Sequence, residues 1–80
     1  DRTYIAMFVD ATANQALLML FNGSKENQEF TLPSDKWGAQ YRSVFDSSQY
    51  IEKFEPQLSK PGDKTTVESH AVQVWLVNRN

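Results

Sequence analysis

The stretch ALLMLFNGS, residues 16–24, decides the fold of this 80-residue chain. Its six apolar residues are far fewer than the ~20 needed to span a bilayer, so they predict a buried strand and not a membrane segment. The run stops at Asn22-Gly23, a dipeptide typical of tight turns. A short alternating segment, residues 29–32, follows and ends at Pro33, and it is expected to form a hairpin with the strand before it.

Four further segments have the composition of strands. Residues 4–9 and 71–77 are almost wholly apolar and rich in β-branched or aromatic side chains. Residues 40–45 alternate between polar and apolar side chains, and residues 64–68 are polar, as in an edge strand. In the alternating segment, the pleat predicts one shared face for Tyr41, Ser43 and Phe45.

Six short strands without a convincing amphipathic helix predict an all-β fold: a small antiparallel β-sandwich, Greek-key-like. Residues 46–63 contain several breakers and predict one long loop, with a helical turn at 49–54 at most. Residues 1–80 are too few for more than one core and therefore predict a single domain. Because the chain starts at Asp1 without a Met or a signal-like segment, we interpret it as part of a larger protein.

The apolar composition of three strands predicts a neighbour. The first, second and sixth strands are apolar on both faces, and 80 residues cannot cover both faces of a sheet. A neighbouring domain is therefore expected to cover one of them.

Charge and cysteine content exclude several classes of partner. Ten acidic and eight basic residues are scattered along the chain and give a net charge of −2. Without a basic patch, neither nucleic acid nor a membrane surface is expected as a partner. Cysteine is absent, so no disulfide or thiolate metal site is expected and the chain suits a reducing compartment, although secretion stays open.

The sequence predicts no catalytic, cofactor-binding or metal-binding residue. His70 is the one histidine, and no nucleophile and carboxylate lie at a sequence spacing that would indicate a catalytic triad with it. We therefore expect His70 at a turn. Glycoside hydrolysis needs two carboxyl groups about 5–9 Å apart in a cleft. The acidic residues that could supply them fall at predicted strand ends, where solvent exposure is expected: Asp10, Glu29, Asp46 and Glu68.

Carbohydrate binding has two candidate residues, because sugar rings stack on aromatic side chains. Trp75 lies within an apolar strand and is expected in the core. Trp37 and Tyr50 lie in predicted loops and are the candidates for a stacking platform. The alternative is that both rings plug an end of the sandwich.

Three segments in order carry a family resemblance: DRTYIAMF at residues 1–8, LLMLFNGS with EFTLP at 17–33, and Trp37 followed by VFDS at 44–47. The chain resembles the C-terminal β-domain of glycogen debranching enzymes and isoamylases in the α-amylase superfamily. It departs from the pattern at two places, with His70-Ala71 where Arg-Ser is usual and Asp46-Ser47 where Asp-Thr is usual. The positions that match the family pattern are Asn22, Leu32, Pro33, Trp37 and Asp46.

The resemblance implies a non-catalytic accessory domain. It implies a parent enzyme, expected in the cytoplasm, that hydrolyses α-1,6-glucosidic branch links in glycogen or starch with carboxylates of a separate (β/α)₈ barrel. This domain would pack on that barrel and stabilise it. The alternatives are an independent α-glucan-binding module and an immunoglobulin-like interaction domain. The side chains expected to matter most for the fold are Phe8, Leu18, Leu20, Phe30, Leu32, Val44, Val74 and Trp75.

Overall fold

The computed structural model describes residues 2–80, which form seven β-strands and one 3-10 turn. Short polar segments connect the elements, as expected where turn-forming residues interrupt apolar runs. No helix among these residues is long and apolar enough to cross a bilayer. The elements are β1 (Thr3–Asp10), β2 (Gln15–Asn22), β3 (Gln28–Thr31), β4 (Gln40–Asp46), the 3-10 turn (Ile51–Lys53), β5 (Leu58–Ser59), β6 (Lys64–Val67) and β7 (Ala71–Asn78).

The strands form two antiparallel layers, which confirms the predicted β-sandwich. The larger sheet has the order β1-β2-β7-β4-β5, and the smaller one pairs β3 with β6. The most apolar strands, β2 and β7, lie side by side inside the larger sheet. In central positions each of them has a hydrogen-bonded neighbour on both sides, and its inward side chains lie over the middle of the core.

The core lies between the layers and is built by alternation. In β7 every second side chain is buried, from Ala71 to Val77, and β2 does the same. Most side chains expected in the core are there, with Leu18, Leu20, Phe30, Leu32 and Trp75 all buried.

Three of the expected core residues lie outside it. Phe8 is 60% exposed and Val44 is 41% exposed, so both expectations were wrong. Val74 is half-buried on the opposite face of its sheet. The reason is the same for each: an apolar strand has two faces, and the sequence does not say which of them meets the second layer.

A β-bulge in β4 breaks the predicted alternation. The register with β7 shifts between Ser43 and Phe45, so Val44 is the extra residue. Tyr41 and Ser43 share the buried face, but Phe45 turns outward and is 42% exposed, so the predicted common face holds for two of the three residues. Asp46 takes the inward position after the bulge.

The predicted hairpin between the second and third strands is wrong. β3 pairs with β6, with Phe30 opposite Thr65. Asn22 explains why: its amide donates hydrogen bonds to the carbonyls of Glu26 and Val67 and accepts from the Ser24 N–H and hydroxyl. The Asn22 side chain therefore folds residues 23–27 into a crossing from one sheet to the other.

The segment predicted as one long loop contains more structure than expected. Its 3-10 turn, Ile51–Lys53, confirms the helical turn expected within 49–54. The two-residue strand β5 was missed, and it pairs with Tyr41 and Arg42. A strand this short leaves no periodicity in the sequence.

Candidate interaction surface

The outward side of the larger sheet is the most unusual surface of the molecule. Residues paired across antiparallel strands point to the same face, so the register defines rows of neighbouring side chains. Three adjacent rows on the outward side are apolar apart from one arginine. They are Tyr4, Phe21 and Val72; then Ala6, Met19, Val74 and Phe45; then Phe8, Leu17, Leu76, Arg42 and Leu58. We call these three rows the outer face.

Large side chains of the outer face are open to solvent. Tyr4 is 64% exposed, Phe8 60%, Leu17 43% and Leu58 68%. Contiguous apolar patches on soluble proteins mark interaction sites, whereas scattered single residues do not. The outer face is contiguous across all five strands of the larger sheet and therefore qualifies as an interaction surface.

A polar row limits the outer face at one end. The fourth row of the register consists of Asp10, Gln15, Asn78 and Gln40. At the other end the apolar surface deepens into a groove of about 520 Å³ lined by Tyr4, Phe21 and Val72, with Arg2 and His70 at its rim. An apolar centre with a polar border is the composition of a protein–protein contact.

The second feature with potential chemistry is a polar cleft of about 290 Å³ between β4 and β6. Gln73, 6% exposed, lies at its base. Its Nε2 donates to Asp46 Oδ2 and to the Thr66 carbonyl, both at 3.0 Å, and its Oε1 accepts from Trp75 Nε1 at 3.0 Å and Thr65 Oγ1 at 3.1 Å. No buried polar side-chain atom of residues 2–80 lacks a partner, so this network is structurally saturated.

Asp46 differs from its expected solvent exposure. It is only 8% exposed, and its Oδ1 accepts from the Ser48 N–H at 2.9 Å and the Ser48 hydroxyl at 2.6 Å. The bulge in β4 turns this carboxylate inward, where it links the turn after β4 to Gln73. The arrangement fixes the turn.

Asp10 and His70 lie at a strand end and a turn, whereas Glu29 lies within β3. Asp10 ends β1, and the Thr12 hydroxyl that bonds its carboxylate lowers the pKa of Asp10, as do the backbone N–H groups of Ala13 and Thr12. Glu29 forms an exposed ion pair with Lys64, at 3.6 Å. His70 occupies the turn between β6 and β7 with φ 57°. Among residues 2–80, no three His, Asp or Glu side chains group as metal ligands would.

The two aromatic residues proposed for sugar stacking are not brought together. Trp37 precedes β4 by three residues, and its N–H bonds to the Ser34 carbonyl at 3.0 Å. Tyr50 follows the other end of β4, directly before the 3-10 turn. β4 is about 20 Å long at ~3.3 Å per residue, so the rings belong to opposite ends of the sandwich.

The Trp37 end of the sandwich is closed by Tyr41. This side chain is fully buried, and its hydroxyl donates to the Ser34 carbonyl at 3.4 Å. Burial raises the pKa of the Tyr41 phenol, and the negative charge of Asp35 raises it further. Trp37 itself stays 48% exposed beside this closed end.

Fold and surface together define a small β-sandwich domain with one exposed apolar sheet face. The whole chain, residues 1–80, matches the family model described as isoamylase, C-terminal, and the chain belongs to that family. The resemblance seen in the sequence is thereby confirmed. The family is an accessory domain of debranching enzymes, which are glycoside hydrolases. No curated protein matches the chain.

Sequence reasoning predicted strands that are apolar on both faces but did not locate the outward apolar surface. The signal was present in the near-continuous apolar strands, residues 4–9, 16–21 and 71–77. Locating the outer face requires the register, because a shift by one residue exchanges the two faces of a strand.

Proposed function

We propose that the outer face docks this domain onto the (β/α)₈ catalytic barrel of its parent, a cytoplasmic enzyme that hydrolyses α-1,6 branch links in glycogen or related glucans. By covering apolar surface, the domain stabilises that barrel and takes no part in the chemistry. The observation that carries the proposal is the contiguity of the three exposed apolar rows. Their location on a central sheet, bounded by a polar row, supports docking against one broad partner surface.

The area argument supports a stable contact. Fully burying one side chain of the size of Leu, Val or Phe is worth ~1.5–3 kcal/mol. The outer face offers several such side chains in one plane, led by Tyr4, Phe8 and Leu17. Rigid preorganisation also helps, because side chains held on strands lose little further freedom when the partner binds.

Substituting Leu17→Glu tests the docking. Leu17 lies in the third row between Phe8 and Leu76. In the parent enzyme the new carboxylate would be buried without a partner, and we expect a loss of about 2–4 kcal/mol in its unfolding free energy. In the isolated 80-residue chain the site faces water, and we expect a change below about 1 kcal/mol. Calorimetry on both proteins measures the difference.

The matched control is Ile51→Glu. Ile51 is 80% exposed in the 3-10 turn, away from the outer face, and receives the same charge. It should be harmless in both proteins. If Leu17→Glu proves as harmless as Ile51→Glu in the parent enzyme, the outer face is not the docking surface.

Glucan binding by the isolated domain is the second candidate function. It is favoured by the exposure of two loop aromatic rings, 48% for Trp37 and 77% for Tyr50. Because they belong to opposite ends of β4, each would stack a sugar alone and bind weakly.

An NMR titration with maltooligosaccharide tests this candidate. If the domain is a binding module, amide shifts centred on Trp37 or Tyr50 should saturate at millimolar ligand. The shifts around residue 37 should be lost in Trp37→Ala. Tyr4→Ala is the control, since Tyr4 is also an exposed aromatic residue, 64%, but lies on the outer face. Unchanged spectra throughout would rule out the module and leave the docking role.

A further inference from the structure

The free edge of β1 is a pairing surface of its own. β1 pairs with β2 on one side and is the end strand of its sheet among residues 2–80. It is eight residues long and contains neither proline nor lysine, the residues that most often block such edges. The second layer covers its inward side only in part, because Met7 packs against the core whereas Ile5 is 55% and Val9 47% exposed. An uncovered apolar edge of this length is a template for another strand.

The backbone groups that point outward can be identified. The Gly23 N–H donates to the Arg2 carbonyl at 2.8 Å, so this pair is hydrogen-bonded across β1 and β2. Hydrogen-bonded and non-hydrogen-bonded pairs alternate in antiparallel sheets. Even-numbered residues of β1 therefore bond to β2, while Thr3, Ile5, Met7 and Val9 direct their N–H and C=O groups to the free edge.

We infer that a second copy of this chain occupies that edge, with the two β1 strands antiparallel about a two-fold axis at Ala6. This register joins the two sheets into one continuous sheet. It pairs the free backbone groups of Ile5 with those of Met7 in the second copy, and those of Thr3 with Val9. On the outward side it places Tyr4 opposite Phe8, and Arg2 opposite Asp10.

Charge complementarity between the two ends of β1 favours a second copy as the partner, and it favours this register. Arg2 is exposed, and no carboxylate of residues 2–80 forms an ion pair with it. The Asp10 carboxylate is exposed, and its hydrogen bonds to Thr12 and Ala13 all use Oδ1, which leaves Oδ2 open. The two-fold axis creates the Arg2–Asp10 contact twice. Sliding the register by two residues in either direction removes both contacts.

The side chains of the even-numbered pairs are well placed for these contacts. Directly opposite residues in non-hydrogen-bonded pairs lie closest together, with Cα atoms about 4.5 Å apart. Aromatic pairs and opposite charges at such positions stabilise a sheet. Because a single edge buries less surface than a standard interface, we expect a weak, reversible dimer.

The edge is distinct from the docking proposed for the outer face. It uses the edge backbone of β1 and the side chains that flank this edge, whereas docking uses the side chains of three rows across all five strands of the larger sheet. Leu17→Glu should therefore leave self-association unchanged, so the two proposals fail or stand separately.

Sedimentation equilibrium of the 80-residue chain, from about 10 µM to about 1 mM, tests the inference. We expect a monomer–dimer equilibrium. Arg2→Glu replaces both attractive contacts by repulsive ones and should weaken association about tenfold, because each cross-strand pair contributes modestly. Lys25→Glu, the same charge change in an exposed loop, should leave association unchanged.

Hydrogen exchange locates the interface. The amides of Ile5, Met7 and Val9 should exchange more slowly as concentration rises, and Ile5→Pro, which removes one free donor, should abolish both the protection and the dimer. If Ile5→Pro fails to fold, Arg2→Glu still decides. A chain that stays monomeric at about 1 mM, or a dimer indifferent to Arg2→Glu, would overturn the inference.

Discussion

Replacing Trp75 with alanine should cost the domain about 3–5 kcal/mol of its unfolding free energy. Trp75 is 1% exposed and lies between Leu18 of β2 and Ser43 of β4, so its removal opens a cavity in the centre of the larger sheet. The indole N–H also donates to Gln73 at 3.0 Å. A domain of this size has a net stability of only about 4–12 kcal/mol, so the substitution should remove at least about a quarter of it.

Urea denaturation followed by circular dichroism measures the loss. Trp37→Ala is the matched control, because it deletes the same ring from a loop position that is 48% exposed. It should cost less than about 1 kcal/mol. Equal losses for the two variants would show that Trp75 does not organise the core.

The sheets have an unusual distribution of polarity. In an isolated sandwich the inward faces are apolar and the outward faces polar. Here the inward face carries Gln73 and Asp46, both buried, while the outer face is apolar over three rows. The polar inward groups are fully hydrogen-bonded, so they add specificity to the packing of the layers, whereas the outer face has no such internal explanation. This contrast is the main physical support for a partner on the outer face.

Six of the seven strands could be predicted because each is a run of β-forming residues ended by a turn signal. β7, with Val72, Val74 and Val77, is one example. Pairing could not be predicted in the same way. β3 pairs with β6 because the side chain of Asn22 directs the chain to the other layer. The Asn22-Gly23 dipeptide predicts a turn but not the strand with which β3 pairs.

The candidate sites were predictable only in part. The composition of the apolar strands predicted a sheet that is apolar on both faces, but the expectation for Phe8 failed because the face on which a side chain lies depends on register. The bulge at Val44 changes the face of the sheet to which the side chains of Phe45 and Asp46 point, and no residue in that segment is typical of a bulge. Trp37 and Tyr50 were both assigned to loops correctly, and the strand predicted at residues 40–45 already placed them at opposite ends of β4.

The amide of Gln73 holds the inward polar network together, and Gln73→Met should cost about 2–4 kcal/mol. Methionine fills a similar volume but cannot bond. The Asp46 Oδ2, the Trp75 Nε1 and the Thr65 hydroxyl each lose their contact with this side chain. A buried polar group without a partner destabilises the fold by more than its hydrogen bond contributed to stability. Water entering the adjacent cleft limits this loss.

Gln57→Met is the control for this prediction. Gln57 is exposed on the rim of the same cleft, where its backbone N–H donates to Ser43 Oγ at 2.7 Å and would survive the change. Its replacement should alter stability by less than about 0.5 kcal/mol. Chemical denaturation of both variants provides the comparison, and the Trp75 indole N–H resonance should shift only in Gln73→Met. A stability loss no larger in Gln73→Met than in Gln57→Met would mean that packing alone, without the polar network, joins β6 to the larger sheet.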